Sequence, residues 1–359
     1  MYRMGYREKN ITTKFFITNM EFLSQVIKES KNEFASFVSD GISAGDVESF
    51  VDTGSYMFNA IVSGSLYGGI PSNKITALAG ESGTGKTFFC LSVVRSFLDA
   101  NPEGGVIYFE TESAISKKMI ESRGIDSKRM IIFPVATIEE FRTQSVRIID
   151  KYMETSKEER KPLMFVLDSL GMLATNKEVE DASNDKNVRD MTKAQLVKSV
   201  FRILTLKLGK ANIPMLVTNH TYDVVGSYVP TKEMGGGSGL KYSASTIIFL
   251  SKKKEKDGTD LIGNIIKCEA KKSRLTREGS KIETRLFFDS RGLERHYGML
   301  ELGERAGLWK NTAGRYEING KKLYAKQILA NPEEYFTEDI LQELDKQAQK
   351  ELLYGASDE

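Results

Sequence analysis

Lys74-Ile-Thr-Ala-Leu-Ala-Gly80-Glu-Ser-Gly83-Thr-Gly85-Lys86-Thr87 decides the architecture of this chain. Its first half is a short apolar run bounded by glycine, the signature of a buried strand. Its second half fits G-x-x-x-x-G-K-[ST] in full and leads straight into a helical stretch, Thr87 to Ala100. Strand, glycine-rich loop and helix in that order form a phosphate-binding loop: the backbone N–H groups of Gly80, Glu81, Ser82, Gly83, Thr84 and Gly85 converge on an anion, and the helix N-terminus adds partial positive charge. Lys86 would reach the β- and γ-phosphates and the Thr87 hydroxyl would ligate Mg2+.

Such a site needs a carboxylate on a neighbouring strand. Leu163-Met-Phe-Val-Leu-Asp168 supplies one, an acid where an apolar run leaves the core, and a buried acid there must face a cation or a hydrogen-bond network. Hydrolysis also needs a group to orient water. Glu110 and Glu112 close the run GVIYFE-T-E; at period two they point to one side, and either suits a general base. The guanine signature N-K-x-D is absent, since Asn73-Lys74 and Asn176-Lys177 are followed by Ile75-Thr76 and Glu178-Val179. ATP is the expected nucleotide.

Working outward, apolar runs at 74–80, 105–110, 130–135, 162–168, 213–219 and 245–251 alternate with helical stretches at 87–100, 137–156 and 190–209. Thr137 and Glu140 form a capping-box pattern. This alternation predicts an α/β fold with a mainly parallel sheet covered on both faces, and NIIKCEAKKS with KIETRLFFD reads as an antiparallel pair closing it. Two polar insertions, Thr175–Met191 and Thr221–Gly239, leave the carboxyl ends of strands, where α/β sheets bind ligands. Their lysines, tyrosines and glycines suit a sugar-phosphate backbone and exposed bases. His220 stands where a strand meets the second insertion, either as a structural hydrogen-bonder or as a sensor of the terminal phosphate. Lys271, Lys272 and Arg274 are either a solvated strand end or a cationic finger.

The 359 residues carry 51 basic against 49 acidic side chains. The near balance hides an asymmetry: from Asn331 onward nine acids face two lysines, leaving −7 there and +9 on residues 1–330. Basic surfaces seek polyanions, and an acidic tail competes with them. Two cysteines and two histidines exclude a disulfide framework and a zinc-spaced cluster. No run approaches the roughly 18 apolar residues of a membrane span, so a cytoplasmic protein without membrane partners is expected. Residues 20–38 read as one amphipathic helix, and Met20 is a possible start.

The phosphate loop, the Glu110–Glu112 strand end, LMFVLDSLG, MTKAQLVKSVFRILT, TNHTY and MGGGSGLKYSAS resemble the UvsX-type phage recombinases of the RecA family, from about Val51 to Tyr297. The resemblance implies a RecA-like P-loop NTPase core over 51–297, a small N-terminal helical oligomerisation segment over 1–50, and a C-terminal α/β extension with an acidic tail over 298–359. It implies an ATP- and Mg2+-dependent DNA-stimulated ATPase that forms filaments on single-stranded DNA and exchanges strands with a duplex, helped by single-strand-binding and loader proteins. Glu112 would then activate water, Glu110 order the site, Asp168 hold the metal, and His220 link the γ-phosphate to the second DNA loop. Lys272 and Arg274 would reach a neighbouring subunit's ATP. Where the family often stacks a tyrosine on adenine this chain has Met119, with Phe288 as a second candidate. A ring-forming replicative helicase and a non-hydrolysing mediator are the alternatives on the same core.

Overall fold

The computed structural model describes residues 19–184, 192–224, 232–235, 238–257, 260–318 and 320–355. The chain divides into two compact units between Asp46 and Val47. In the first, a helix spans residues 19–29 and does not continue to Val38 as the apolar spacing suggested. Its end is chemical: the Ser30 hydroxyl donates to the Ile27 carbonyl and Asn32 Oδ1 accepts the Phe34 N–H. Such local bonds compete with the helical ladder.

In the second unit, nine strands of the described residues form one sheet. They are β1 Ile75–Gly80, β2 Gly105–Glu110, β3 Met130–Pro134, β4 Leu163–Asp168, β5 Met215–Asp223, β6 Lys232–Met234, β7 Thr246–Asp257, β8 Asp260–Ser273 and β9 Lys281–Phe287. The order is β9-β8-β7-β1-β5-β4-β2-β3, with β6 paired to the far end of β5. The strands from β7 to β3 along this path are parallel to their neighbours, and β8 and β9 close the edge antiparallel, as expected.

Alternation along each strand feeds two cores. Leu78, Met164, Val166, Leu216 and Ile248 pack on one face with Phe89, Val93 and Phe97 of α1, Lys86–Ala100. Ala77, Phe165, Leu167, Met215 and Ile247 pack on the other with Phe141 of α2, Ile138–Met153, and Phe201 and Leu204 of α3, Lys193–Ala211. Both faces being buried explains why these strands read as apolar runs. Thr137 caps α2 through the Glu140 N–H. Cys90 and Cys268 are buried, unbridged thiols.

Three findings depart from the pattern reading. The first insertion contains a helix, Asn176–Ser183, closed by a capping box between Thr175 and Glu178; residues 185–191 lie outside the described ones. The second begins as a hairpin, Thr221 facing Met234 and Asp223 facing Lys232, and ends in a helix, Ser238–Ser243; residues 225–231 and 236–237 lie outside. The acidic stretch is no free tail through Leu352. It forms the helix Glu338–Leu352, which buries Leu341, Leu344, Ala348 and Leu352 in the same core as Trp309, Tyr316 and Phe336. None of the described helices is long and apolar enough to cross a membrane.

Candidate nucleotide site

β1 ends at Gly80, and the loop turns through Gly85 at φ 95° before α1 begins. That left-handed conformation strains any residue with a Cβ, and a Cβ at Gly80 would lie 2.7 Å from the Leu250 carbonyl oxygen. The loop therefore needs its glycines for close backbone approach. Lys86 Nζ, nearly buried, donates to the carbonyls of Gly80 and Glu81 at 3.0 Å each and sits 3.5 Å from His220 Nδ1. Burial pulls its pKa below the ordinary lysine value, against the pull of Asp168 and Glu112.

Parallel register gathers the rest. Gly80 lies level with His220, and Asp168 with Glu110. Asp168, almost fully buried, accepts from the Thr87 hydroxyl and the Tyr108 hydroxyl, both at 2.7 Å, and from the Thr218 hydroxyl. Thr87 and Asp168 thus present a hydroxyl and a carboxylate oxygen side by side beside a phosphate loop. This hard-oxygen pair fits Mg2+, which takes one or two protein ligands and fills its octahedron with phosphate and water. No group of three or more His, Cys, Asp or Glu side chains able to hold a metal exists among the described residues.

Glu110 and Glu112 do not share one strand. β2 stops at Glu110, and Glu112 stands on a bend that includes Ser113 at φ 54°. Glu110 Oε1 accepts the N–H groups of Glu112 at 3.0 Å and Ala114 at 2.9 Å, so its carboxylate builds the turn that carries Glu112. Glu112 Oε1 accepts from the Ser169 hydroxyl at 2.6 Å and lies 3.2 Å from His220 Nε2. Burial would raise the Glu112 carboxyl, but Ser169 and His220 outweigh it and hold its pKa below the ordinary value. Lys86, His220, Glu112 and Ser169 form one polar chain. His220 also leads to the second insertion: its carbonyl accepts the Gly235 N–H at 3.0 Å, and Asn219 Nδ2 donates to the Gly235 carbonyl at 2.7 Å.

Lys272 and Arg274 stand apart from this cluster. Lys272 pairs with Ile247 and Ser273 with Thr246, which lies level with Thr76 at the start of β1, whereas the phosphate loop follows its other end. Lys272 Nζ caps the helix behind the second insertion, donating to the carbonyls of Lys241, Tyr242 and Ala244 at 2.7, 3.1 and 2.7 Å. Arg274 is exposed. Met119 is partly buried in Lys117–Glu121, and Phe288 follows β9. Arg123 links α1 to Phe288, its guanidinium 4.1 Å over the Phe88 ring and 3.1 Å from the Phe288 carbonyl.

The sequence reading missed Tyr108, Thr218 and Ser169. Tyr108 and Glu110 share a face of β2, and Thr218 lies two residues before His220; both spacings were readable signals. It also missed a cavity of about 610 Å³ beside the loop, rimmed by Lys232, Lys252, Lys267, Lys271 and Lys281 together with Glu81.

A family model described as the RecA N-terminal domain matches residues 23–293. The chain is 36% identical over 251 residues to the "Recombination and repair protein" of Enterobacteria phage T4, an alignment covering 70% of this chain and 62% of that protein. It is 24% identical over 300 residues to "Protein RecA" of Streptomyces rimosus, covering 81% and 75%, and 25% identical over 275 residues to "Protein RecA" of Clavibacter michiganensis subsp. michiganensis, covering 74% and 72%.

Proposed function

This chain belongs to the RecA family, and from that premise we propose that it is an ATP-dependent DNA recombinase. It assembles as a homo-oligomeric filament on single-stranded DNA and exchanges strands with a homologous duplex. The observation that carries the reading is the polar chain from Lys86 through His220 to Glu112, whose central strand runs on into the hairpin of the second insertion.

In this reading Lys86 exchanges its loop carbonyls for phosphate oxygens, and Thr87 with Asp168 holds the magnesium ion. The ion, when bound, offsets the charge that builds on the phosphates. Glu112 orients the attacking water and takes its proton. His220 lies between the lysine and the base, so it registers the γ-phosphate and passes its presence through the Gly235 bonds to the second insertion. ATP and DNA affinities are then coupled reciprocally. Lys272 and Arg274, turned away from their own loop, serve a neighbouring subunit's ATP. The lysines around the cavity and the two insertions offer the cationic path that a sugar-phosphate backbone requires.

Lys86→Ala is expected to lose ATP-stimulated filament formation on single-stranded DNA in electron micrographs. Undiminished DNA-stimulated hydrolysis in that variant would overturn the site assignment. Closed rings in place of open helical filaments in the wild type would favour a helicase.

A further inference from the structure

We propose that Ser169 is a positioning residue for Glu112, the group that fixes the water-activating carboxylate relative to the metal-holding Asp168. The inference rests on the reading of Glu112 as the general base. Glu112 is not held by a strand; it stands on a bend and its side chain is 30% exposed. A long side chain in that position needs an external reference to keep one geometry.

Two side chains donate to its carboxylate. His220 Nε2 is 3.2 Å away, and its other ring nitrogen faces Lys86. Because that lysine changes partners when phosphate arrives, His220 is a poor fixed point. Ser169 is the opposite case. It is fully buried, and its Oγ sits 2.6 Å from Glu112 Oε1. Its backbone is locked to the residue beside Glu112: Ser169 N–H donates to Thr111 Oγ1 at 2.8 Å, and that hydroxyl donates back to the Ser169 carbonyl at 3.0 Å. The Thr111 N–H donates to the Asp168 carbonyl at 3.0 Å. Two adjacent residues, Asp168 and Ser169, therefore carry the metal acid, the hydroxyl that holds the base, and the backbone groups that clasp the base's own turn.

A serine that only satisfied its own hydrogen bond would leave hydrolysis unchanged once the fold was intact. A positioning serine acts on kcat, since a displacement of about 1 Å in a reacting group costs up to about 100-fold. The test is DNA-stimulated ATP hydrolysis by the full chain at saturating single-stranded DNA, with Ser169→Ala, Ser169→Thr and Glu112→Gln compared. Ser169→Ala is expected to lower kcat roughly 10- to 100-fold with KM for ATP and the Mg2+ requirement unchanged. Ser169→Thr, which keeps the hydroxyl, is expected to recover most of the rate. In the Glu112→Gln background, Ser169→Ala is expected to cause no further loss, because its target is already gone.

If Glu112→Gln itself keeps full activity, the general-base reading falls and Ser169 has nothing to position. If Glu112→Gln is inactive while Ser169→Ala keeps kcat, the proposal alone is overturned. A rise in KM for ATP or in the Mg2+ requirement that matches the fall in kcat assigns the hydroxyl to Asp168 instead and also overturns it. Should Ser169→Ala lose its cooperative melt, Ser169→Cys, nearly isosteric and a weaker donor, carries the same expectations.

Discussion

At the scale of single residues, Asp52 and Arg295 join two stretches that lie 243 positions apart in the chain. Asp52 Oδ1 accepts from Arg295 Nη1 at 2.6 Å, the Gly54 N–H at 2.9 Å and Asn59 Nδ2 at 3.0 Å, while the guanidinium stacks 3.8 Å over the Tyr56 ring. Burial works to raise the Asp52 carboxyl, yet Arg295 prevails and its pKa lies below the ordinary aspartate value. A carboxyl lowered by folding stabilises the fold fully above its unfolded pKa of about 4 and loses that contribution as pH falls through its folded value. Asp52→Asn is therefore expected to cost about 1 kcal/mol at pH 7, the screened value for a partly exposed pair. Urea midpoints should show that difference shrinking below pH ~4; a difference constant from pH 7 to pH 3 would remove the charge from the account. This pair was not legible in the sequence, because 243 positions separate its members. Lys86 and Thr87 were legible because the chemistry they serve is encoded in eight contiguous residues.

At the scale of elements, the first insertion holds a lesson in pattern reading. The T-x-x-E pattern at Thr137 stood out because an apolar stripe follows it, yet only half of the box forms there: Thr137 caps the Glu140 N–H, while the Glu140 carboxylate accepts the Ala136 N–H at 3.0 Å. The same T-x-x-E spacing at Thr175 and Glu178 is easily passed over because six of the eight residues behind it are polar and none is buried. So short a helix is marginal by itself, and the cap holds it: the Thr175 hydroxyl accepts the Glu178 N–H at 3.0 Å, and the Glu178 carboxylate accepts the Thr175 N–H at 2.8 Å. Thr175→Ala should cost about 1 kcal/mol of local stability, seen as faster amide exchange across 176–183 with the exchange of β4 unchanged. Equal protection in the variant would mean that contacts other than the cap hold the helix.

At the scale of the whole molecule, the charge asymmetry needs a different test from simple removal. The −7 stretch is mostly a packed helix, so deleting it from Asn331 exposes the apolar partners of Leu341, Leu344 and Leu352. At about 1.5–3 kcal/mol for each large buried side chain, the loss is comparable with the ~5–15 kcal/mol stability of an ordinary domain. The truncated chain is expected to melt far below the wild type or to aggregate. Glu333, Asp339 and Glu343 are exposed, and their joint replacement by glutamine removes charge without removing core. That variant should keep its melting temperature and bind duplex DNA more tightly with an altered salt dependence. Unchanged affinity would mean that the acidic helix does not compete with DNA.

The sequence by itself determined the phosphate loop, the alternation of strand and helix, and the acid at the end of β4, since each is written in a few adjacent residues whose period or conformational need is local. Only the tertiary structure decided which partners those residues meet. Register between parallel strands is set by packing on two faces at once, and it is register that brings His220 level with Gly80 and Asp168 level with Glu110. The same pairing carries Lys272 to the end of the sheet away from its own phosphate loop. The different surroundings of Glu110 and Glu112 are equally a matter of three dimensions: the first carboxylate accepts the backbone N–H groups of its own turn and the second accepts from Ser169, a difference that two identical side chains two residues apart cannot express in one.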